Sequence, residues 1–201
     1  MSELTILQAV RLKGRVSPTD LAATLGEAQA DVTATVDRLT AAGLLVEATT
    51  LRISSTGRAR LSELLDEERN CADTTALAAA YDEFRPVNAD FKTLVTDWQL
   101  KDGKPNTHDD AEYDAAVLAR LDEVHARMAP IIDAAATLLP RLNAYPSKLL
   151  AALGKVKAGE TAWLTAPLID SYHTVWFELH EELILAAGLT REEAARSGDA
   201  Q

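Results

Sequence analysis

Ser17-Pro18-Thr19-Asp20-Leu21-Ala22-Ala23-Thr24-Leu25-Gly26 is a short helix written with its own start and stop. Ser17 can accept a hydrogen bond from a free amide, Pro18 suits the first helical position, and Asp20 puts a carboxylate in the first turn, where the helix dipole favours it. Leu21 and Leu25 give one apolar edge, and Gly26 can close the helix in the left-handed conformation. Upstream, Leu4, Ile6, Leu7, Val10 and Arg11 recur at helical spacing and predict a helix ending near Gly14. Downstream, after a turn through Glu27 and Ala28, Val32, Val36 and Leu39 mark a further helix that runs until Gly43. Leu44-Leu45-Val46-Glu47-Ala48 and Leu51-Arg52-Ile53-Ser54 are β-prone runs separated by Thr49-Thr50, which predicts a short hairpin.

Three stretches carry a family resemblance: Val16-Ser17-Pro18-Thr19-Asp20-Leu21-Ala22, Val36-Asp37-Arg38-Leu39-Thr40-Ala41-Ala42-Gly43-Leu44-Leu45, and Ile53-Ser54-Ser55-Thr56-Gly57-Arg58-Ala59-Arg60-Leu61. Together they resemble the MarR-type winged helix of bacterial regulators over roughly the first third of the chain. The resemblance implies a recognition helix near residues 29 to 42, a wing near 44 to 54, and DNA as the partner. The chain departs from the type in having no long basic wing tip and no dimerisation helix ahead of the module. Its order is more like GntR-type regulators, with the reader first and the sensor second.

The charge supports two compositional halves. Residues 1 to 70 hold 8 Lys/Arg against 10 Asp/Glu, and residues 71 to 201 hold 12 against 21. All ten aromatic residues and all four histidines follow residue 80. The expected organisation is a winged helix-turn-helix domain over residues 1–70 and an all-α sensor or dimerisation domain over 71–201, a mainly α protein with one small β-hairpin. Cys71 is the single cysteine, so no intramolecular disulfide is possible. The start Met1-Ser2-Glu3-Leu4-Thr5 has no signal-peptide character, and no segment approaches the roughly 20 apolar residues of a bilayer span. A cytoplasmic protein without membrane contact is expected.

The second half reads as helices throughout. One long helix is predicted from Ser55 to about Phe84, interrupted at Arg85-Pro86. Val87, Phe91, Leu94, Val95 and Trp98 mark the next, which gives way to a loop at Asp102-Gly103-Lys104-Pro105-Asn106. Tyr113, Val117, Leu121, Val124 and Met128 form another, kinked or broken at Pro130 and ended before Pro140. Tyr145-Pro146 opens a shorter helix ending at Gly159, and Pro167 opens a last long one with Ile169, Tyr172, Trp176, Leu179 and Leu183. Thr190 with Glu193 is a capping box for a terminal turn, with Ser197 to Gln201 frayed. Asn88-Ala89-Asp90-Phe91-Lys92, with Gly159-Glu160 ahead of a helix carrying His173, is similar to the helical sensor domain of FadR-like GntR regulators. That pattern expects a histidine where Lys92 stands, so the fold is implied without the metal.

Phosphate neutralisation by Lys and Arg supplies most non-specific DNA affinity, yet the expected recognition helix sets Asp31 and Asp37 against Arg38 alone. The candidate phosphate contacts are therefore a rim of Arg11, Lys13, Arg15, Arg38, Arg52, Arg58 and Arg60, with Gln29, Thr33 and Thr35 as candidates for base edges. The competing reading makes these ordinary solvated faces and the module a non-DNA-binding protein-interaction or adaptor unit. Asn106-Thr107-His108-Asp109-Asp110-Ala111-Glu112-Tyr113-Asp114 has the composition of a cation site, but acidic residues at a helix start also cap amides, and capping is expected. His180-Glu181-Glu182-Leu183-Ile184 lacks the second histidine of a zinc-peptidase motif. Trp98, Tyr145, Trp163, Tyr172, His173, Trp176, Phe177 and His180 are candidates to line a pocket for a small apolar or aromatic effector, the alternative being plain core. With no phosphate loop, nucleophile elbow or dinucleotide fingerprint, neither enzymatic activity, a cofactor nor a metal is expected. A homodimer is expected, with the helix from Ser55 and the last long helix as contact elements.

Overall fold

The computed structural model describes residues 2–196, in two compact units, Met1–Ala72 and Asp73–Gln201. In the first unit, α1 (Glu3–Lys13), α2 (Pro18–Leu25) and α3 (Gln29–Ala41) precede the strands β1 (Leu45–Glu47) and β2 (Leu51–Ile53) and the helix α4 (Ser55–Asn70). The boundary signals act as their chemistry dictates. Ser17 Oγ accepts from the Asp20 amide at 3.1 Å, Gly14 ends α1 at φ 69° and Gly26 ends α2 at φ 68°. β1 and β2 pair antiparallel with Leu45 opposite Ile53, Val46 opposite Arg52 and Glu47 opposite Leu51.

A bridge between Val16 and Leu51 adds a third, single-residue rung to this hairpin. Leu51 N donates to Val16 O at 2.8 Å, and Val16 N returns a bond to Leu51 O at 3.4 Å. The core below consists of Ile6, Leu7, Val10, Leu21, Val32, Val36, Leu39, Leu45, Leu51 and Leu61, all at most 2 % exposed. α4 docks through Gly57. A Cβ on this residue would lie 2.0 Å from the Leu44 carbonyl oxygen and 2.9 Å from Ile53 Cγ1, so only glycine permits the approach.

The second unit is built from α5 (Thr74–Gln99), α6 (Ala111–Leu138), a 3-10 turn (Pro140–Asn143), α7 (Ala144–Lys157), α8 (Ala162–Thr165), α9 (Tyr172–Ala186) and α10 (Arg191–Arg196). Four expectations are corrected here. The helix that begins at Ser55 stops at Asn70, and a new one begins where Asp73 Oδ1 accepts from the Thr75 and Ala76 amides, each at 3.0 Å. Pro86 and Pro130 break nothing and lie inside α5 and α6. Both prolines are exposed, as are Asp82 and Ala126 four residues before them, whose carbonyls lose their helical partners. The freed carbonyls are thus on the side that water can reach.

The loop at Asp102 is a β-hairpin, β3 (Leu100–Lys101) paired with β4 (Lys104–Pro105), turning through Asp102 at φ 53° and Gly103 at φ 74°. Two successive positive φ values are what a two-residue hairpin turn requires. Finally, α9 starts at Tyr172 rather than Pro167, because Ser171 Oγ caps the Thr174 amide at 3.3 Å. The capping box of α10 forms in full: Glu193 Oε2 accepts from Thr190 N at 2.7 Å, and Thr190 Oγ1 accepts from Glu193 N at 3.2 Å. The expected frayed segment from Ser197 lies outside the described residues. Among the described residues no helix is long and apolar enough to cross a membrane.

Candidate nucleic-acid interface

The helix-turn-helix leaves one face of α3 open. Val32, Thr35, Val36 and Leu39 point into the core, whereas Gln29, Ala30, Asp31, Thr33, Ala34, Asp37, Arg38 and Ala41 are exposed. Gln29 and Thr33, one turn apart, stand together on that face with Gln29 Nε2 3.5 Å from Thr33 Oγ1. Thr35 does not join them. It is 8 % exposed, and its hydroxyl donates to the Asp31 carbonyl of its own helix at 3.0 Å. The spacing Val32, Thr35, Val36, Leu39 puts it on the apolar stripe, so Thr35 is withdrawn from the base-reading set.

The expected basic rim divides in two. Arg60 is drawn into carboxylates, 3.1 Å from Glu3, 3.0 Å from Glu63 and 3.7 Å from Glu67. Its guanidinium is held above its ordinary pKa by the hydrogen bonds to Glu63 and then Glu3, so Arg60 serves the α1–α4 contact and is corrected out of the rim. Arg38 lies 3.9 Å from Glu3 and remains 59 % exposed. Arg11, half-buried, donates through Nε to Gln8 Oε1 at 3.0 Å along its own helix, and Lys13 is half-buried beside it.

Arg15, Arg52 and Arg58 are exposed, and none forms an ion pair with a described residue. Arg15 directly precedes Val16 and Arg52 directly follows Leu51, so the antiparallel Val16–Leu51 bridge brings the two exposed arginines to the same end of that contact. Arg58 sits in the first turn of α4, where the helix dipole disfavours a cation. Three exposed arginines are thus open to an external anion.

The candidate effector residues fall in four separate places. Tyr172, Trp176 and His180, spaced by four along α9, interleave with Tyr81, Phe84 and Phe91 of α5. Their ring centroids lie 4.3 Å apart for Phe91–Trp176, 5.5 Å for Phe91–Tyr172 and 5.1 Å for Phe84–His180. This ladder is core, locked by the Trp176 indole N–H donating to Asn88 Oδ1 at 2.9 Å. His173, half-buried, lies beside the Phe91 ring of the ladder at 6.0 Å between centroids, and Phe177 is half-buried. Trp98 instead packs against His108 at 4.4 Å. Trp163 lies under Lys155 Nζ at 3.4 Å.

Tyr145 joins a buried charge network that sequence reasoning does not find. Its hydroxyl is 3.4 Å from Glu182 Oε1, Arg141 Nη1 bonds Glu182 Oε2, and Lys148 Nζ lies 3.8 Å from Glu178 Oε2. Burial, then the charges of Glu182 and Glu178, push the Tyr145 phenol well above its ordinary pKa. The available signal is the pair Glu178 and Glu182, one turn apart inside an otherwise apolar helix.

The acidic segment before α6 is a structural knot. Asp110 Oδ1 caps the Tyr113 amide at 3.0 Å while its Oδ2 receives Lys101 Nζ at 2.6 Å. Asn106 Nδ2 donates to Trp98 O at 3.1 Å and to Asp114 Oδ1 at 2.9 Å, and His108 Nδ1 lies 3.0 Å from Asp114 Oδ2. Among the described residues no three His, Cys, Asp or Glu side chains gather as a metal site. Comparison with family models, with curated proteins and with solved structures finds no match to the chain.

Proposed function

We propose that the N-terminal unit binds DNA and that the protein is a transcriptional regulator of MarR-like winged-helix type. The observation that carries this reading is the arginine pair Arg15 and Arg52, brought to one end of the Val16–Leu51 bridge, both exposed and without an ion-pair partner among the described residues. With Arg58 nearby in sequence on α4, they suit a phosphate backbone, while Gln29 and Thr33 on the open face of α3 suit base edges in a major groove. The likeness of Val16–Ala22, Val36–Leu45 and Ile53–Leu61 to the MarR-type module supports the same reading. The helical unit then supplies ligand sensing or dimerisation, and a homodimer would present two such modules to two half-sites. α9 is a poor dimer contact, since nearly every residue from Tyr172 to Ala186 is buried or half-buried. α4 buries Gly57 and Leu61 in its own unit and exposes polar side chains.

A second reading, a protein-contact module, is favoured by the exposed Asp31 and Asp37 on α3. Fluorescence anisotropy with a labelled duplex from the gene's upstream region and with random duplex, at several salt concentrations, separates the two. DNA binding predicts salt-sensitive association, with Arg52→Ala weakening all sequences alike and flattening the log–log salt slope by about one unit. Thr33→Ala then changes sequence preference by about 1–3 kcal/mol. Absence of salt-sensitive binding to either duplex at low ionic strength removes the DNA reading and leaves the protein-contact one.

A further inference from the structure

His125 on α6 and Tyr172, the first residue of α9, join two helices through one hydrogen bond, 3.1 Å between Nδ1 and the phenolic oxygen. Tyr172 is 0 % exposed, and this bond is the only one its hydroxyl makes among the described residues. The Phe91 and Trp176 rings lie beside it, at 5.5 Å and 6.0 Å between ring centroids. We infer that the His125–Tyr172 contact is an acid-weakened latch between α6 and α9, satisfying the buried phenol hydrogen when the imidazole is neutral and stranding it when the imidazole gains a proton.

A count of hydrogens decides the state of the contact. Burial, then the Asp122 charge, pushes the Tyr172 phenol far above its ordinary value, so it keeps its proton and has one hydrogen to give. A neutral His125 with its hydrogen on Nε2 offers the Nδ1 lone pair to receive it. A protonated His125 carries hydrogens on both nitrogens, so Nδ1 becomes a donor to the phenolic oxygen and can no longer receive the phenol hydrogen. The phenol hydrogen must turn away from its one partner among the described residues, and a buried donor left without a partner is costly.

The charged groups around the imidazole do not rescue it. Asp122, one turn earlier on α6, favours the charged ring, but Lys157 of α7 lies 2.6 Å from Asp122 Oδ1 and opposes it. α9 contributes the uncharged Tyr172, whose far side is covered by the apolar Phe91 ring of α5. The net effect, led by burial, lowers the His125 pKa from its ordinary 6.5. A lowered value in the folded state means that the unfolded chain takes the proton first. The latch is therefore fully stabilising above about 6.5 and loses its contribution as pH falls below that value.

The device is independent of what the N-terminal unit binds. Two measurements on the full chain test it. Nitrogen-15 NMR of the histidine rings should find neutral His125 as the Nε2–H tautomer; an Nδ1–H tautomer overturns the latch. Urea unfolding from about pH 8 to about pH 5 compares wild type with His125→Gln, whose side-chain oxygen can accept from Tyr172 without titrating. The wild-type unfolding constant should rise faster on acidification, by up to about tenfold per pH unit relative to the variant. Parallel profiles overturn the latch, and if the variant does not fold, the tautomer decides.

Discussion

Replacing Gly57 by alanine tests the docking of α4 against the β1–β2 hairpin. On an exposed helix the change gains about 1 kcal/mol, because alanine has the better helix propensity. At Gly57 the added Cβ falls 2.0 Å from the Leu44 carbonyl oxygen. That oxygen cannot simply withdraw, since it accepts the Ser54 amide at 3.0 Å, and Ser54 Oγ in turn bonds Gly43 O at 2.7 Å and caps the Gly57 amide at 2.9 Å. A shift of backbone at such a knot costs about 1–3 kcal/mol, with the upper end expected for contact with main chain rather than a flexible side-chain tip. The net expectation is a loss of about 2 kcal/mol after the propensity gain is subtracted. Gly154, inside α7, is the control: a Cβ added there would meet nothing within 4 Å, so Gly154→Ala should stabilise by about 0.5–1 kcal/mol. Chemical denaturation followed by circular dichroism reads both. A Gly57→Ala protein as stable as wild type refutes the reasoning, and a loss at Gly154 equal to that at Gly57 shows that free space does not separate the two sites.

Further outcomes follow from side-chain bonds. Trp176→Phe keeps the stacking on Phe91 but deletes the donor to Asn88 Oδ1, and should cost about 1–3 kcal/mol of stability in the same denaturation assay. Lys101→Met should raise the Asp110 titration seen by carboxyl carbon-13 NMR, because Lys101 and then the Tyr113 amide hold that carboxyl below its ordinary value. In wild type the contribution of Asp110 is present above the ordinary carboxylate value and fades as pH falls through the lowered one.

Local signals make the first unit legible. Ser17, Pro18 and Gly26 each fix one boundary by a mechanism that involves only neighbours in sequence, and Val32, Val36 and Leu39 fix the buried face of α3. Thr35 misleads because a threonine on the apolar stripe can satisfy its hydroxyl on its own helix and go inside, which composition does not reveal. The second unit is less legible for a related reason. Pro86 and Pro130 carry a strong breaking signal, but whether the freed carbonyl meets water depends on which side of the helix it faces. Asp73, which does start a helix, looks like any surface aspartate. Asp102-Gly103 is visible as a turn and is also a strong two-residue hairpin signal, obscured because its strands are only two residues long. Arg15 and Arg52 both stand out in the sequence, but their being brought to one end of the Val16–Leu51 bridge depends on a contact between residues 35 positions apart that no local pattern announces. The same holds for the partition of the aromatics, since Trp98 and Trp163 differ from Trp176 only in what the tertiary fold brings against them.

The wrapping of α9 by its own unit has a consequence for the order of events during synthesis. The first unit has every residue of its core by the time Leu65 has been made, and domains generally fold as units as the chain emerges. The second unit lacks its central helix until residues 172 to 186 exist, so α5 waits with Phe84, Phe91 and the indole-seeking Asn88 uncovered while α6, α7 and α8 are added. Those side chains are the surface that a chaperone would meet on a ribosome paused within α6 or α7, and pausing there would expose the chain to aggregation in a way that pausing before α5 would not.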